Sequence, residues 1–205
     1  MRFKSKIDPN SRRLIGLTGG IATGKTTVSN YLATRYGLPV LDADLYAREA
    51  VAQGSAILQL IFDRYGELVK LPDASLNRTS LGDIIFNDAA EKQWLEGQIH
   101  PFVRDRFTQE LGQTEANTVI LAIPLLFESK LTDMVTEIWV VNCDRSVQSD
   151  RLQQRNSLTP EQAETRIDNQ LPLTTKIKQA DVVLNNNSDL EYLYNQVDWA
   201  VTSKS

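Results

Sequence analysis

The sequence predicts an α/β fold: a five-stranded, mostly parallel sheet with helices on both faces, a helical insert and a lid. Three observations carry the prediction. The stretch Gly19-Gly20-Ile21-Ala22-Thr23-Gly24-Lys25-Thr26 lies between a short apolar run and a helix-forming segment. Apolar runs of strand length then alternate with helical patterns, as they do when parallel strands are joined by crossover helices. Between Ser55 and Asn117 no strand pattern occurs, so two strands are joined there by a long helical excursion.

The bulk numbers fit one domain with a subdomain inside it. The chain has 205 residues, 41% hydrophobic and 23% charged, which is enough to bury a core. A formal net charge of −4 argues against a general nucleic-acid binder, so any basic site must be local. No apolar run approaches membrane-spanning length. Cys143 is the only cysteine, which rules out an intramolecular disulfide and fits a reducing compartment. Next to a strand end it reads as a small buried apolar residue. Residues 1–12 are polar and basic, and a flexible tail without a signal peptide is expected there. The expectation is a cytoplasmic protein acting on small molecules, with no nucleic acid or membrane partner, as a monomer or small homo-oligomer.

Taken in order, Arg13–Leu17 reads as the first strand and Lys25–Tyr36 as the first helix, closed by Gly37 as a C′ glycine. Pro39-Val40-Leu41 leads into Asp42-Ala43-Asp44, a short strand whose end carries two carboxylates, and a helical pattern follows to Gly54. Ala56–Tyr65, Thr79–Phe86 and Asp88–Leu111 read as helices, the last with an expected interruption at Pro101. Thr118–Ile123 is the clearest buried strand, and Glu137–Val141 is the next. Ser146–Asn156 is a helix rich in Arg and Gln. Thr159-Pro160-Glu161-Gln162 is a strong helix start, with a Thr cap, Pro at the first position and Gln three residues on. Val182–Leu184 is the last strand, and Ser188-Asp189-Leu190-Glu191 matches a capping box for the C-terminal helix. The core is thus expected at 13–54 and 118–205, the insert at 55–117 and a lid at about 146–172.

In such sheets ligands bind at the carboxyl ends of strands, where the glycine loop, the Asp pair and Pro124–Glu128 all lie. The loop pattern G-x-x-x-x-G-K-[ST] is that of a phosphate-binding loop. Its glycines let the backbone bring N–H groups to an anion at a helix N-terminus. Lys25 reaches the β- and γ-phosphates, and the Thr26 hydroxyl ligates Mg²⁺. Asp42 and Asp44, two apart in an extended segment, are expected to share a face. One of them can hold Mg²⁺ or take a proton from an attacking hydroxyl, while helix capping by Asp44 explains one acid but not two. A dinucleotide fold also places an acid after a glycine loop, but Ile21 stands where its fingerprint needs a glycine. Arg151 and Arg155, at i and i+4, share a helix face that is either solvated or closes over a transferred phosphoryl group, with Arg166 on the next helix. Arg48 and Arg78 are candidates for an anionic substrate. His100, the only histidine, has a weak case for catalysis. Glu128 lies just past a central strand end.

In order and identity, these pieces resemble the dephospho-coenzyme A kinases. The matching stretches are Leu17-Thr18-Gly19-Gly20-Ile21 through Thr27, Asp42-Ala43-Asp44 with Ala47 and Arg48, and Leu76-Asn77-Arg78. They continue with His100-Pro101, Pro124-Leu125-Leu126-Phe127-Glu128, Gln154-Arg155, Arg166 with Gln170, and Ala180-Asp181-Val182 with Asn186-Asn187. The resemblance implies transfer of the ATP γ-phosphate to the ribose 3′-hydroxyl of dephospho-CoA, the last step of CoA synthesis, with ATP and Mg²⁺. It implies a fold similar to nucleoside monophosphate kinases, with a helical CoA-binding subdomain and a lid. By the same resemblance Gly20, Ile21, Ala22, Thr23, Gly24, Lys25, Thr26 and Thr27 hold ATP, with Asn186 and Asn187 near adenine and Asp42 beside Thr26 at the metal. Asp44 matches the base, Arg155 the lid arginine, and Arg48, Arg78, His100, Leu125 and Glu128 the acceptor side. Ala22-Thr23 replaces the family's commoner Gly-Ser, and Thr79–Asp83 carries less charge than is usual there. Two alternatives remain: a nucleoside monophosphate-type kinase, and a nucleotide-dependent binding switch. The switch reading lacks an N-K-x-D element.

Overall fold

In the computed structural model, residues 12–203 are described; the expected tail lies outside them except for Arg12. Two compact units emerge, one taking the chain to Leu41 and again from Glu115, the other Asp42–Thr114.

The first unit is built on a parallel sheet. Its strands are β1 (Arg13–Gly19), β2 (Val40–Asp42), β3 (Thr118–Ala122), β4 (Glu137–Asn142) and β5 (Val182–Asn185), in the spatial order β2-β3-β1-β4-β5. Its helices are α1 (Lys25–Tyr36), α6 (Arg145–Asn156), α7 (Pro160–Asp168), α8 (Leu173–Ile177) and α9 (Leu190–Thr202). β1 sits at the centre, pairing Ile15 with Ile120 of β3 and with Glu137 of β4, so the loop that follows it leaves the middle of the sheet. Alternation sorts the side chains of β1 by face. Ile15 and Leu17 pack with Val28 and Leu32 of α1 and with Leu193 and Val197 of α9, all fully buried. Gly16 faces the other way, where an added Cβ would stand 3.0 Å from Val135 and 3.1 Å from Leu126. The Arg13 guanidinium pairs with Glu137 at 2.7 Å and donates to the Ala200 and Val201 carbonyls at 3.0 Å, satisfying the end of α9. Cys143 is 3% exposed, as expected of a small apolar residue.

The second unit holds α2 (Ala43–Ala50), α3 (Ala56–Tyr65), α4 (Arg78–Asn87) and α5 (Ala89–Gln113). A core of Val51, Leu58, Ile61, Val69, Leu76, Leu81 and Leu95 fills it. The sequence reading groups α2 with the core, but α2 packs on α5. Tyr46 meets Phe107 edge-on at 5.1 Å, and Arg106 bonds Glu49 at 3.1 Å.

Two other expectations are corrected. α5 runs unbroken through Pro101. The proline is exposed and its i−4 partner is Gly97, also exposed, so water can take the freed carbonyl while Leu95, Val103 and Phe107 anchor both halves. α9 is capped by Asp189, whose side chain accepts from Tyr192 N at 2.8 Å, rather than by a box begun at Ser188. The Thr159–Gln162 capping box of α7 forms as expected.

Candidate active site

The glycine loop connects the central strand to α1, and close approach explains its glycines. A Cβ on Gly19 would lie 2.6 Å from Thr23 Oγ1 and 2.7 Å from the Val141 carbonyl. Gly24 has φ 101°, and a Cβ there would collide with the Asn186 amide. Thr23 is fully buried and its hydroxyl donates to the Gly20 carbonyl at 2.9 Å. Among the described residues no side chain caps α1, and no acid lies in its first turn, so its first N–H groups are left for an anion. Lys25, half-buried, and Thr26, exposed, open that helix, with Thr27 behind them.

Three amide side chains hold the loop from outside. Ile21 N–H donates to Gln170 Oε1 at 2.8 Å, and the Ile21 carbonyl accepts from Gln148 Nε2 at 2.8 Å. Asn186 Nδ2 donates to the Thr23 carbonyl at 2.8 Å. Between these contacts Ala22 adopts φ 60°, in the left-handed region. Asn186, matched by resemblance to the adenine stretch, is 4% exposed with its amide turned to the loop. Asn187 bonds Asp144 through both ends of its own amide, at 2.6 and 2.9 Å.

A buried lysine lies under the same strand ends. Lys176, fully buried on α8, bonds Glu128 at 2.8 Å and lies 3.3 Å from the Pro124 carbonyl and 3.4 Å from that of Gly19. Glu128 also accepts from Leu171 N at 3.2 Å, so its carboxylate is engaged within the protein. Leu125 is half-buried in the turn between them, its carbonyl accepting from Ser129 N at 2.8 Å.

The paired arginines separate. Arg151 bonds the Asn186 carbonyl through Nη2 at 3.1 Å, whereas Arg155 is exposed and bonds the adjacent Asn156, at 2.9 Å. Arg166 is exposed as well. Arg145 joins α6 to α7 through Glu164 at 2.6 Å and Asp168 at 2.7 Å.

In the helical unit Asp44, Arg48 and Arg78 come together at a cavity of about 320 Å³, over an apolar lining that includes Val51, Leu76 and Leu81. His100 does not line it, although Ile99 does. The Asp pair differs from expectation. α2 starts at Ala43, so Asp44 is helical rather than extended, and Asp42 is the cap, its Oδ1 accepting from Asp44 N at 2.8 Å. One Asp42 oxygen is thereby used, and the two carboxylates do not share a strand face.

Sequence reasoning missed Gln148 and Lys176 and gave Gln170 no role. The available signal is a glutamine on the apolar side of α6, near Leu152.

Comparison with known proteins bears on this geometry. The family model described as Dephospho-CoA kinase matches residues 13–191. The dephospho-CoA kinase of Trichormus variabilis is 56% identical over 191 residues, covering 93% of this chain and 97% of that one. That of Gloeobacter violaceus is 49% identical over 195 residues, covering 95% and 94%. Among solved structures, the dephospho-CoA kinase of Campylobacter jejuni superposes with TM-score 0.68 at 25% identity, over 94% of this chain and 96% of that one. A crystal structure from Thermus thermophilus reaches 0.83 at 31% identity, covering 96% and 100%. A shikimate kinase from Acinetobacter baumannii, at 17% identity and TM-score 0.54, over 96% of each chain, shares the fold.

Proposed function

The chain belongs to the dephospho-CoA kinase family, and on that premise we propose how its residues move the γ-phosphoryl group of ATP to the ribose 3′-hydroxyl of dephospho-CoA. The observation that carries the reading is the uncapped, acid-free start of α1 beneath a backbone loop of fixed shape, with Lys25 and Thr26 as its first residues. Loop N–H groups between Gly20 and Thr27 bind the ATP phosphates, except that of Ile21, which Gln170 holds, and Lys25 offsets their charge.

Thr26 and Asp42 each offer an oxygen of the kind that Mg²⁺ takes. The Thr26 hydroxyl is exposed and Asp42 keeps one uncapped carboxylate oxygen. An ion held by one or two protein oxygens takes its other ligands from phosphate and water, as magnesium commonly does. When bound, it neutralises charge on the β- and γ-phosphates.

On the acceptor side, Asp44 orients the 3′-hydroxyl and accepts its proton, while Arg48 and Arg78 bind the anionic groups of dephospho-CoA. Their shared cavity, with an apolar lining, supports this. Residues 42–114 serve as the acceptor-binding unit, and residues 146–172 as a lid that brings Arg155 to the moving phosphoryl group. The transition state is loose, so positioning and electrostatics supply most of the rate.

The test is ADP release across an acceptor panel, with and without Mg²⁺. Turnover is expected with dephospho-CoA only when Mg²⁺ is present. Turnover with a nucleoside monophosphate and none with dephospho-CoA would overturn the reading.

A further inference from the structure

We infer that Gln148 and Gln170 are positioning residues that hold the phosphate loop in its ATP-binding shape and couple that shape to the segment 146–172. The inference rests on the reading above of the loop as donor site and of that segment as a lid. Three observations carry it.

First, Ile21 is gripped at both polar groups of its own backbone, its N–H by Gln170 Oε1 and its carbonyl by Gln148 Nε2, each at 2.8 Å. The orientation of both amides is forced, because a backbone N–H needs an oxygen and a carbonyl needs a nitrogen. Gln148 is 4% exposed, and a Cβ on Gly20 would stand 2.5 Å from its Nε2, so the contact exists only because residue 20 is a glycine.

Second, the grip adjoins a strained residue. Ala22, at φ 60°, occupies a conformation that glycine takes freely and alanine does not. Asn186 holds the following residue, Thr23, by its carbonyl. Strain of this kind persists only where the surroundings over-determine it. Here three neutral amides do so, two on the residue before Ala22 and one on the residue after.

Third, the two glutamines come from the two ends of the α6–α7 hairpin. Gln148 is in the first turn of α6 and Gln170 comes just after Asn169, the C-cap of α7, while Arg145 ties the helices together. A hairpin movement that draws Gln170 away releases the Ile21 N–H and lets Ala22 relax, turning loop N–H groups from the phosphates. Linkage makes this reciprocal: phosphate in the loop favours the hairpin position that keeps both bonds.

The experiment is steady-state kinetics on the full chain, with ATP varied at saturating dephospho-CoA, paired with ATP titration calorimetry. Gln170→Ala should raise KM and Kd for ATP about tenfold, the equivalent of one net hydrogen bond, and leave KM for dephospho-CoA unchanged. Gln170→Glu keeps an acceptor for Ile21 N–H and should stay within about threefold of wild type, whereas Gln148→Glu loses the donor and should match Gln170→Ala. Adding Ala22→Gly to Gln170→Ala should restore most of the lost ATP affinity, because glycine holds φ 60° without the grip. Packing alone would give equal effects for the two isosteric Glu variants and no rescue by Ala22→Gly; either result overturns the inference. If wild type shows no turnover with dephospho-CoA, the functional reading has failed, and the calorimetric series still decides the role of the glutamines.

Discussion

The phosphate loop and the cavity of the helical unit prepare for their ligands in opposite ways. The loop presents backbone, and the side chains around it are buried and spent: Thr23 on Gly20, Asn186 on Thr23, Gln148 on Ile21. The cavity presents side chains, and Asp44, Arg48 and Arg78 are all exposed above an apolar lining. A phosphate chain offers the same oxygens every time, so a rigid nest suits it. A larger acceptor has to be admitted, oriented and released, and exposed charged side chains over an apolar lining suit that. The difference predicts that damage to the loop removes donor binding and chemistry together, while damage at the cavity separates them.

The largest expected effect tests the first half of that statement. Lys25→Ala should lower kcat/KM for ATP by at least about a thousandfold, since a charge aimed at the transferring group is lost. The melting temperature should move by less than about 2 °C, as expected for a side chain outside the core. ADP release and a thermal melt on the same sample check both. A variant retaining a tenth of wild-type activity would remove Lys25 from the transition state.

Asp44→Asn tests the second half. It should lower kcat by about a hundredfold to ten-thousandfold, the range for losing a general base, with Kd for ATP unchanged by calorimetry. A wild-type kcat would end the base assignment. Equal losses in kcat and ATP binding would instead show that the two regions do not act separately.

A smaller effect concerns how the strand ends beneath the loop are held. Lys176 is fully buried, whereas Glu128 keeps 26% of its side-chain exposure. Lys176→Met leaves that carboxylate and the Pro124 and Gly19 carbonyls without their shared cation, and should destabilise the fold by about 2–3 kcal/mol in urea unfolding, below the full value for a buried pair because Glu128 is partly solvated. Adding Glu128→Gln should recover more than half of the loss. No recovery would mean that Lys176 acts by volume rather than by charge.

What could be read from the sequence divides along the same line as the two regions. The loop was legible because backbone geometry forces glycine at Gly19 and Gly24, and glycine spacing survives as a pattern. Its supports were not, because Gln148, Gln170 and Asn186 lie far away in the chain and an amide that braces a loop looks like any polar residue. In the helical unit the helices were legible and their grouping was not. The pairing of α2 with α5 depends on Tyr46 meeting Phe107, a contact without local signature. The local geometry of Asp42 and Asp44 is not legible, since a helix beginning at Ala43 turns an apparent strand pair into a cap and a first-turn acid. Asp44, Arg48 and Arg78, which gather at the cavity, are candidates from residue type alone and are placed on the acceptor side by resemblance; spacing gives no reason to join residue 78 to residues 44 and 48.

The smallest effect follows from how the two regions are fastened. Neutral amides grip the loop, whereas the helical unit is tied at its surface by charge. Glu91 accepts two bonds from Arg64, at 2.6 and 2.8 Å, and a third from the Tyr65 hydroxyl, and Arg64 stacks over Trp94 at 4.5 Å. The Arg64 bonds and then the Tyr65 bond lower the Glu91 carboxyl from its ordinary 4.5 to about 2, and the Tyr65 phenol, by burial and by this carboxylate, is pushed up to about 12. Because the folded-state value lies below the unfolded one, the unfolded chain binds the proton first as pH falls. The contribution of Glu91 is therefore fully present above 4.5 and is lost between 4.5 and about 2. Glu91→Gln should be less stable than wild type near neutrality, with the gap closing as pH falls through that window, as read by urea unfolding at a series of pH values. The amide grip on Ile21 has no proton to gain over the same range, so the Gln170→Ala penalty on ATP binding should not follow that window. If the Glu91→Gln gap stays constant with pH, the bonds from Arg64 and Tyr65 do not depend on the carboxylate's charge, and the helical unit is fastened by packing, as the loop is by amides, rather than by ions.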